Sequence, residues 1–140
     1  MKKIFSTTYN PLQLDLLIFF ARIMIACLMM THGLPKMSKM LAGNFEFADP
    51  IGLGEKTSLI IVVLSEVGCS VLLILGLASR IALFGLIFTM FVIVFVTHAS
   101  DSIGEKETPV LYLLTFVMLF VSGPGKFSLD YLISRKIDKN

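Results

Sequence analysis

Two charged residues interrupt apolar runs that are long enough to cross a bilayer, and this constrains the chain more than any other feature. Arg22 lies within the run 14–34, and Glu66 within the run 59–77. A charge at bilayer depth costs at least about 2.5–3.5 kcal/mol on insertion scales, so each must be paired, hydrated or put to use. The runs themselves decide for a membrane protein over a soluble core. A core helix rarely carries more than about 14 continuous apolar residues, whereas a span needs about 20. Composition agrees: 56% of the residues are hydrophobic and 16% charged, against about 25% charged in soluble chains. The mean hydropathy is +0.86. A net charge of +2, with no basic stripe interleaved with aromatics, excludes nucleic acid as the expected partner. The expected partner is the lipid bilayer.

The start, Met1-Lys2-Lys3, is like the basic region of a signal peptide. The apolar stretch after it is too long for one, carries Asp15 and Arg22, and has no small-x-small cleavage site. It reads as a retained first membrane helix. Asn10-Pro11 opens it with a capping residue and a proline at the first helical position, and Gly33-Leu34-Pro35 weakens its end. A second helix begins at Thr57 or Ser58 and stops at Gly76. Ser79 is the expected N-cap of a third, and the short turn makes helices two and three antiparallel neighbours. Thr108-Pro109 opens a fourth, which Gly123-Pro124-Gly125 terminates. The expectation is an all-α, single-domain bundle of four transmembrane helices over residues 1–140, with spans at 12–34, 57–77, 79–99 and 108–122. Segment 35–56 is half apolar and reads as an interfacial helix or a cap folded over the bundle. A short amphipathic helix, 128–137, closes the chain.

Lysine and arginine set the orientation. Lys2, Lys3, Arg80, Lys126, Arg135, Lys136 and Lys139 collect on one side. On the other, Lys36, Lys39, Lys56 and Lys106 are interleaved with acidic residues. Both termini are expected in the cytoplasm.

Arg22 and Glu66 are the first candidate site. Counted from opposite ends of their helices they lie about 12 and about 16 Å from the same membrane face at 1.5 Å per residue. An arginine fork and a carboxylate at similar depth form the obvious buried pair. Such a pair either locks helix register or forms the floor of a polar site for a quinone head, a proton or an anion. His32, Lys36, Glu107 and Tyr112 form the second candidate, at the outer ends of helices one and four. His32 and Lys36 are spaced i, i+4 and share a face, and imidazole with carboxylate exchanges protons near neutral pH. Ordinary snorkelling at helix ends is the plainer alternative. His32 and His98 are the only histidines and a weak haem ligand pair. No metal-binding spacing and no phosphate loop occurs in the sequence. Cys27 and Cys69 lie in separate spans without a CxxC motif, at depths about 7 Å apart, and read as small apolar fillers. Gly68, Ser65, Cys69 and Gly85 allow close helix contacts.

Taken together, Arg22, His32-Gly33-Leu34-Pro35-Lys36, Glu66, Leu75-Gly76-Leu77 with Arg80, Glu107, and the closing motif Gly123-Pro124-Gly125-Lys126-Phe127-Ser128-Leu129-Asp130 resemble the DoxX family of small four-helix membrane proteins. The resemblance runs from Leu16 to Tyr131. It implies an integral protein of the bacterial inner membrane. Some relatives are described as subunits linked to quinol oxidation or thiosulfate:quinone oxidoreduction, others as membrane partners of redox-defence enzymes. It also implies that Gly33, Gly76, Arg80, Gly123, Pro124, Gly125, Ser128 and Asp130 are structural motif positions. The resulting expectation is an accessory subunit, not catalytic alone, in a homo-oligomer or a membrane redox complex. Its ligand would be a quinone, with no resident cofactor required. The alternatives are a small carrier for protons or a weak acid, and a plain scaffold.

Overall fold

The computed structural model describes residues 8–138. Helix α1 spans Pro11–Leu41, α2 Glu55–Leu75, α3 Ser79–Thr97, α4 Ile103–Ser122 and α5 Leu129–Ile137. The first four form an antiparallel bundle, and the short α5 lies across one end of it. By length and composition α1, α2 and α3 can each cross a membrane. α4 begins with the polar turn Glu105-Lys106-Glu107 and becomes apolar after it. The outer surface is apolar: Leu17, Met24, Phe84, Leu114, Met118 and Val121 are all exposed, as expected where the solvent is lipid.

Several expected boundaries move. α1 does not end near Pro35 but carries it as an internal residue and runs on to Leu41. An internal proline costs about 3 kcal/mol or more. Contacts with α2 on either side of the proline secure the continuation, because Gly33 and Lys36 both pack on that helix. α4 begins five residues before Thr108-Pro109, at Ile103. There the Glu105 carboxylate accepts from the Ser102 N–H at 3.0 Å and from its hydroxyl at 3.2 Å. A capping box outweighs the proline signal.

α2 contains a π-helical stretch at Leu64–Cys69. The extra residue in that turn lets the consecutive side chains Ser65 and Glu66 both face inward. Ser65 meets α3, where Thr89 donates to its hydroxyl at 2.8 Å. Glu66 meets α1. Between these contacts and the α2–α3 turn the core is largely apolar, with the hydroxyl of Ser70 buried in it. Ala26, Leu73, Leu83, Leu86 and Phe116 are fully buried there.

Candidate functional site

The bundle has two polar ends, and the structure divides the candidate residues between them.

At the end that carries the α2–α3 turn and α5, Arg22 is buried at 2% exposure. Its Nη1 donates to the Pro124 carbonyl at 3.1 Å and its Nη2 to the Phe127 carbonyl at 2.7 Å. Gly76 ends α2 with a positive φ of 66°, and a Cβ there would fall on the Arg22 guanidinium. The closing motif is therefore wound around this arginine. Ser128 caps α5, accepting from the Tyr131 N–H at 3.2 Å, and donates to the Gly125 carbonyl at 2.7 Å. Gly123 and Gly125 take positive φ values of 78° and 70°. Asp130 accepts from the N–H groups of Ala78 and Ser79 at 2.7 and 2.9 Å. It thus caps α3 from a distant segment, the role expected of Ser79. That cap also holds Ala78 at φ 48°, a left-handed geometry that alanine otherwise avoids. Burial pushes the Asp130 carboxyl up. The hydrogen bonds from Ser79 and Ala78 and the nearby Arg22 outweigh burial and hold it below the ordinary carboxylate range. Asp15 and Lys126 complete the end with an ion pair at 3.3 Å. Arg80 is exposed beside it.

At the other end Glu66 is 1% exposed and is bound by Lys36. Lys36 Nζ donates to both carboxylate oxygens, at 2.5 and 2.7 Å. The expected Arg22–Glu66 pair is therefore corrected. Arg22 is level with Gly76, and Gly33 is level with Glu66, since a Cβ on Gly33 would sit 2.9 Å from the Glu66 Cβ. At 1.5 Å per residue Arg22 and Glu66 are separated by about 15 Å along the bundle. Depths counted from helix ends mislead here because α1 is much longer than α2.

A cavity of about 340 Å³ opens over the Lys36–Glu66 pair. His32, Lys36, Glu66, His98 and Tyr112 all line it. His32 stands edge-on to the Tyr112 ring at 5.6 Å between centroids. His98 is bound through Nδ1 to Asp101 at 2.6 Å. Glu107 is exposed and is not part of the lining. Arg22 is likewise absent from it. The segment after α1 folds over the top, with Phe47, Ala48, Pro50 and Ile51 facing the cavity. Phe47 lies 6.0 Å from Lys36 Nζ. This cover is fixed by Asp49, which accepts from Leu53 N, Gly54 N and the Ser58 hydroxyl at 2.9, 2.7 and 2.8 Å. The bond from Ser58, with those from the backbone, holds the Asp49 carboxyl below its usual range. Sequence reading does not single out Asp49; a lone acid in a loop carries little signal.

The pair is electrically neutral as a unit, and Lys36 retains a third donor. Its side chain is 28% exposed while that of Glu66 is 1% exposed. Tyr112 is buried at 8% exposure, and its hydroxyl has no hydrogen-bond partner among the described residues. Most of the remaining wall is apolar, including Met29, Val62, Phe88 and Ile93. Chemically, this site offers hydrogen bonds to a neutral oxygen and an oily wall to the rest of a ligand. Among the described residues no cluster of three His, Cys, Asp or Glu side chains is placed to hold a metal ion. Cys27 and Cys69 are both free thiols.

The DoxX family model matches residues 17–99. The inner membrane protein YqjF of Escherichia coli is 29% identical over 87% of this chain and 95% of its own length. An uncharacterized protein of Haemophilus influenzae is 30% identical over 84% of this chain and 90% of its own. No solved structure matches the chain.

Proposed function

The chain belongs to the DoxX family, and from that premise we propose that it is a bacterial inner-membrane protein that binds a neutral, oxygen-bearing amphiphile of quinone size in the cavity over Lys36 and Glu66. The observation that carries this reading is the asymmetry of the pair. Glu66 is 1% exposed and Lys36 28%, and both line the cavity together with Tyr112. A net-neutral pair disfavours a strongly charged head, whose desolvation nothing there would offset. A carbonyl or hydroxyl oxygen fits, accepting from Lys36 Nζ or Tyr112. A cavity of about 340 Å³ falls at the small end of ligand sites.

Binding is favoured over passage. Below Glu66 the bundle is filled by Leu73, Leu83 and Leu86, and beyond them the Arg22 knot closes the far end. A carrier of protons or a weak acid needs a second opening. A cavity that holds a quinone head suits a subunit that works beside a redox enzyme. We accordingly assign it an accessory role beside a redox partner, with both termini on the cytoplasmic side.

Titration of a quinone analogue into purified protein tests the reading. Saturable binding that is lost in Glu66→Gln and Lys36→Met supports it. No saturable binding to the folded wild type would end it. Proton flux in liposomes that depends on Glu66 would establish the carrier in its place.

A further inference from the structure

We infer that the cavity opens sideways into the bilayer between α2 and α3, and that its ligand is a membrane-dissolved, tailed molecule whose tail stays in that opening. The inference rests on the cavity reading above and adds the route and the class of ligand.

Each of the other flanks is crossed by a contact, although His32 on α1 is itself exposed. Between α1 and α2 stand the Lys36–Glu66 pair and the close approach of Gly33 to Glu66 and Val67. Between α1 and α4 the His32 ring meets the Tyr112 ring. α3 and α4 pack extensively against each other. Over the top lies the segment with Phe47, Pro50 and Ile51, pinned by Asp49.

The α2–α3 flank is different. These helices meet at the turn Gly76–Ala78 and stay packed through the π-helical stretch Leu64–Cys69, where Cys69 contacts Gly85 and Ser65 bonds Thr89. Above that bond their packing lapses, because the first half of α2, Glu55–Val63, has no extensive contact with α3. Ile61 on α2 and Phe88 on α3 both line the cavity and are 39% and 49% exposed on the outside of the bundle. One side chain on each helix thus belongs to the chamber and to the lipid-facing surface together. Both are wholly apolar, so the opening presents hydrocarbon to hydrocarbon. A water-soluble ligand would gain nothing from such a frame, whereas an alkyl or isoprenoid tail would fill it. The polar head would then reach Lys36 and Tyr112 at the inner end.

The chain contains no tryptophan, so Phe88→Trp places a single reporter at the opening. In vesicles of lipids brominated on their acyl chains, the reporter is expected to be quenched. A long-tailed quinone analogue is expected to relieve the quenching, and a tail-less analogue to leave it. Ile61→Trp repeats the measurement from the other side if Phe88→Trp does not fold. The tail is expected to tighten apparent binding about tenfold or more, because two methylenes moved from water into the bilayer already concentrate the ligand that much at the opening. Tailed and tail-less analogues that bind equally and relieve quenching equally would overturn the lateral opening and leave the cavity reading intact. Binding by neither would overturn both.

Discussion

The two ends of this bundle meet the same problem, a buried charge, in opposite ways. At one end Arg22 is enclosed by backbone: two carbonyls of the closing motif accept its protons, and Gly76 lacks a side chain so that the guanidinium can fit. At the other end Glu66 is met by the terminal amine of a flexible side chain, and space is left over it. Backbone acceptors belong to the fold and cannot move away without unfolding it. A lysine amine can turn toward a ligand and back. The first arrangement suits a structural lock and the second a site. A charged residue in a span is therefore not in itself a functional residue; its partners decide.

Breaking the lock should have the largest effect. Arg22→Met leaves the Pro124 and Phe127 carbonyls without a donor, at about 1.5–3 kcal/mol for each bond to a charged group. The expected result is a large fall in the thermal midpoint in detergent, with ligand affinity of the folded fraction unchanged. Lys36→Met should come next. It strands a carboxylate that is 1% exposed, and removing one partner of a buried pair costs about 3–5 kcal/mol. Here ligand binding is lost even where the fold persists, which separates the two ends.

Asp130 gives a smaller effect at the locked end. Asp130→Ala removes the cap of α3, worth about 0.5–2 kcal/mol. Its folded carboxyl titrates below the usual range. The stabilisation is therefore complete above the unfolded value, near 3.8, and is lost as pH falls through the lower folded value. A pH series of thermal midpoints should show the wild type losing stability in that acid window, and Asp130→Ala losing less. Asp49 contributes with the same sign at the other end. Glu107→Gln should do least, within about 0.5 kcal/mol and with no change in ligand affinity, because Glu107 is exposed and outside the cavity.

Much of the fold is legible in the sequence because membrane helices announce themselves by run length, and glycine and proline mark their ends. The α2–α3 hairpin, the stop at Gly123-Pro124-Gly125 and the amphipathic α5 all arise from such local signals. The pairing of charges does not. Arg22 and Lys36 are both on α1, and the choice between them for Glu66 depends on how α2 is placed along α1: its end at Gly76 is level with Arg22, so the first turns of α1 overhang it. Lys36 reaches Glu66 because α1 continues past Pro35, where the local signal predicts an end and a contact with α2 overrides it. His32, Lys36 and Tyr112 can be grouped from sequence because they share a depth. Depth alone also groups Glu107 with them, and the direction it faces on α4 excludes it from the lining. The roles of Asp130 and Asp49 depend on contacts across the fold that no spacing rule carries.

Glu66 answers to Lys36 and not to Arg22. Double-mutant cycles on thermal stability in detergent test it directly, using Lys36→Met with Glu66→Met and Arg22→Met with Glu66→Met. The expected coupling is about 1–3 kcal/mol for Lys36 with Glu66, with additivity within about 0.5 kcal/mol for Arg22 with Glu66. Strong coupling between Arg22 and Glu66, with Lys36 additive, would contradict it.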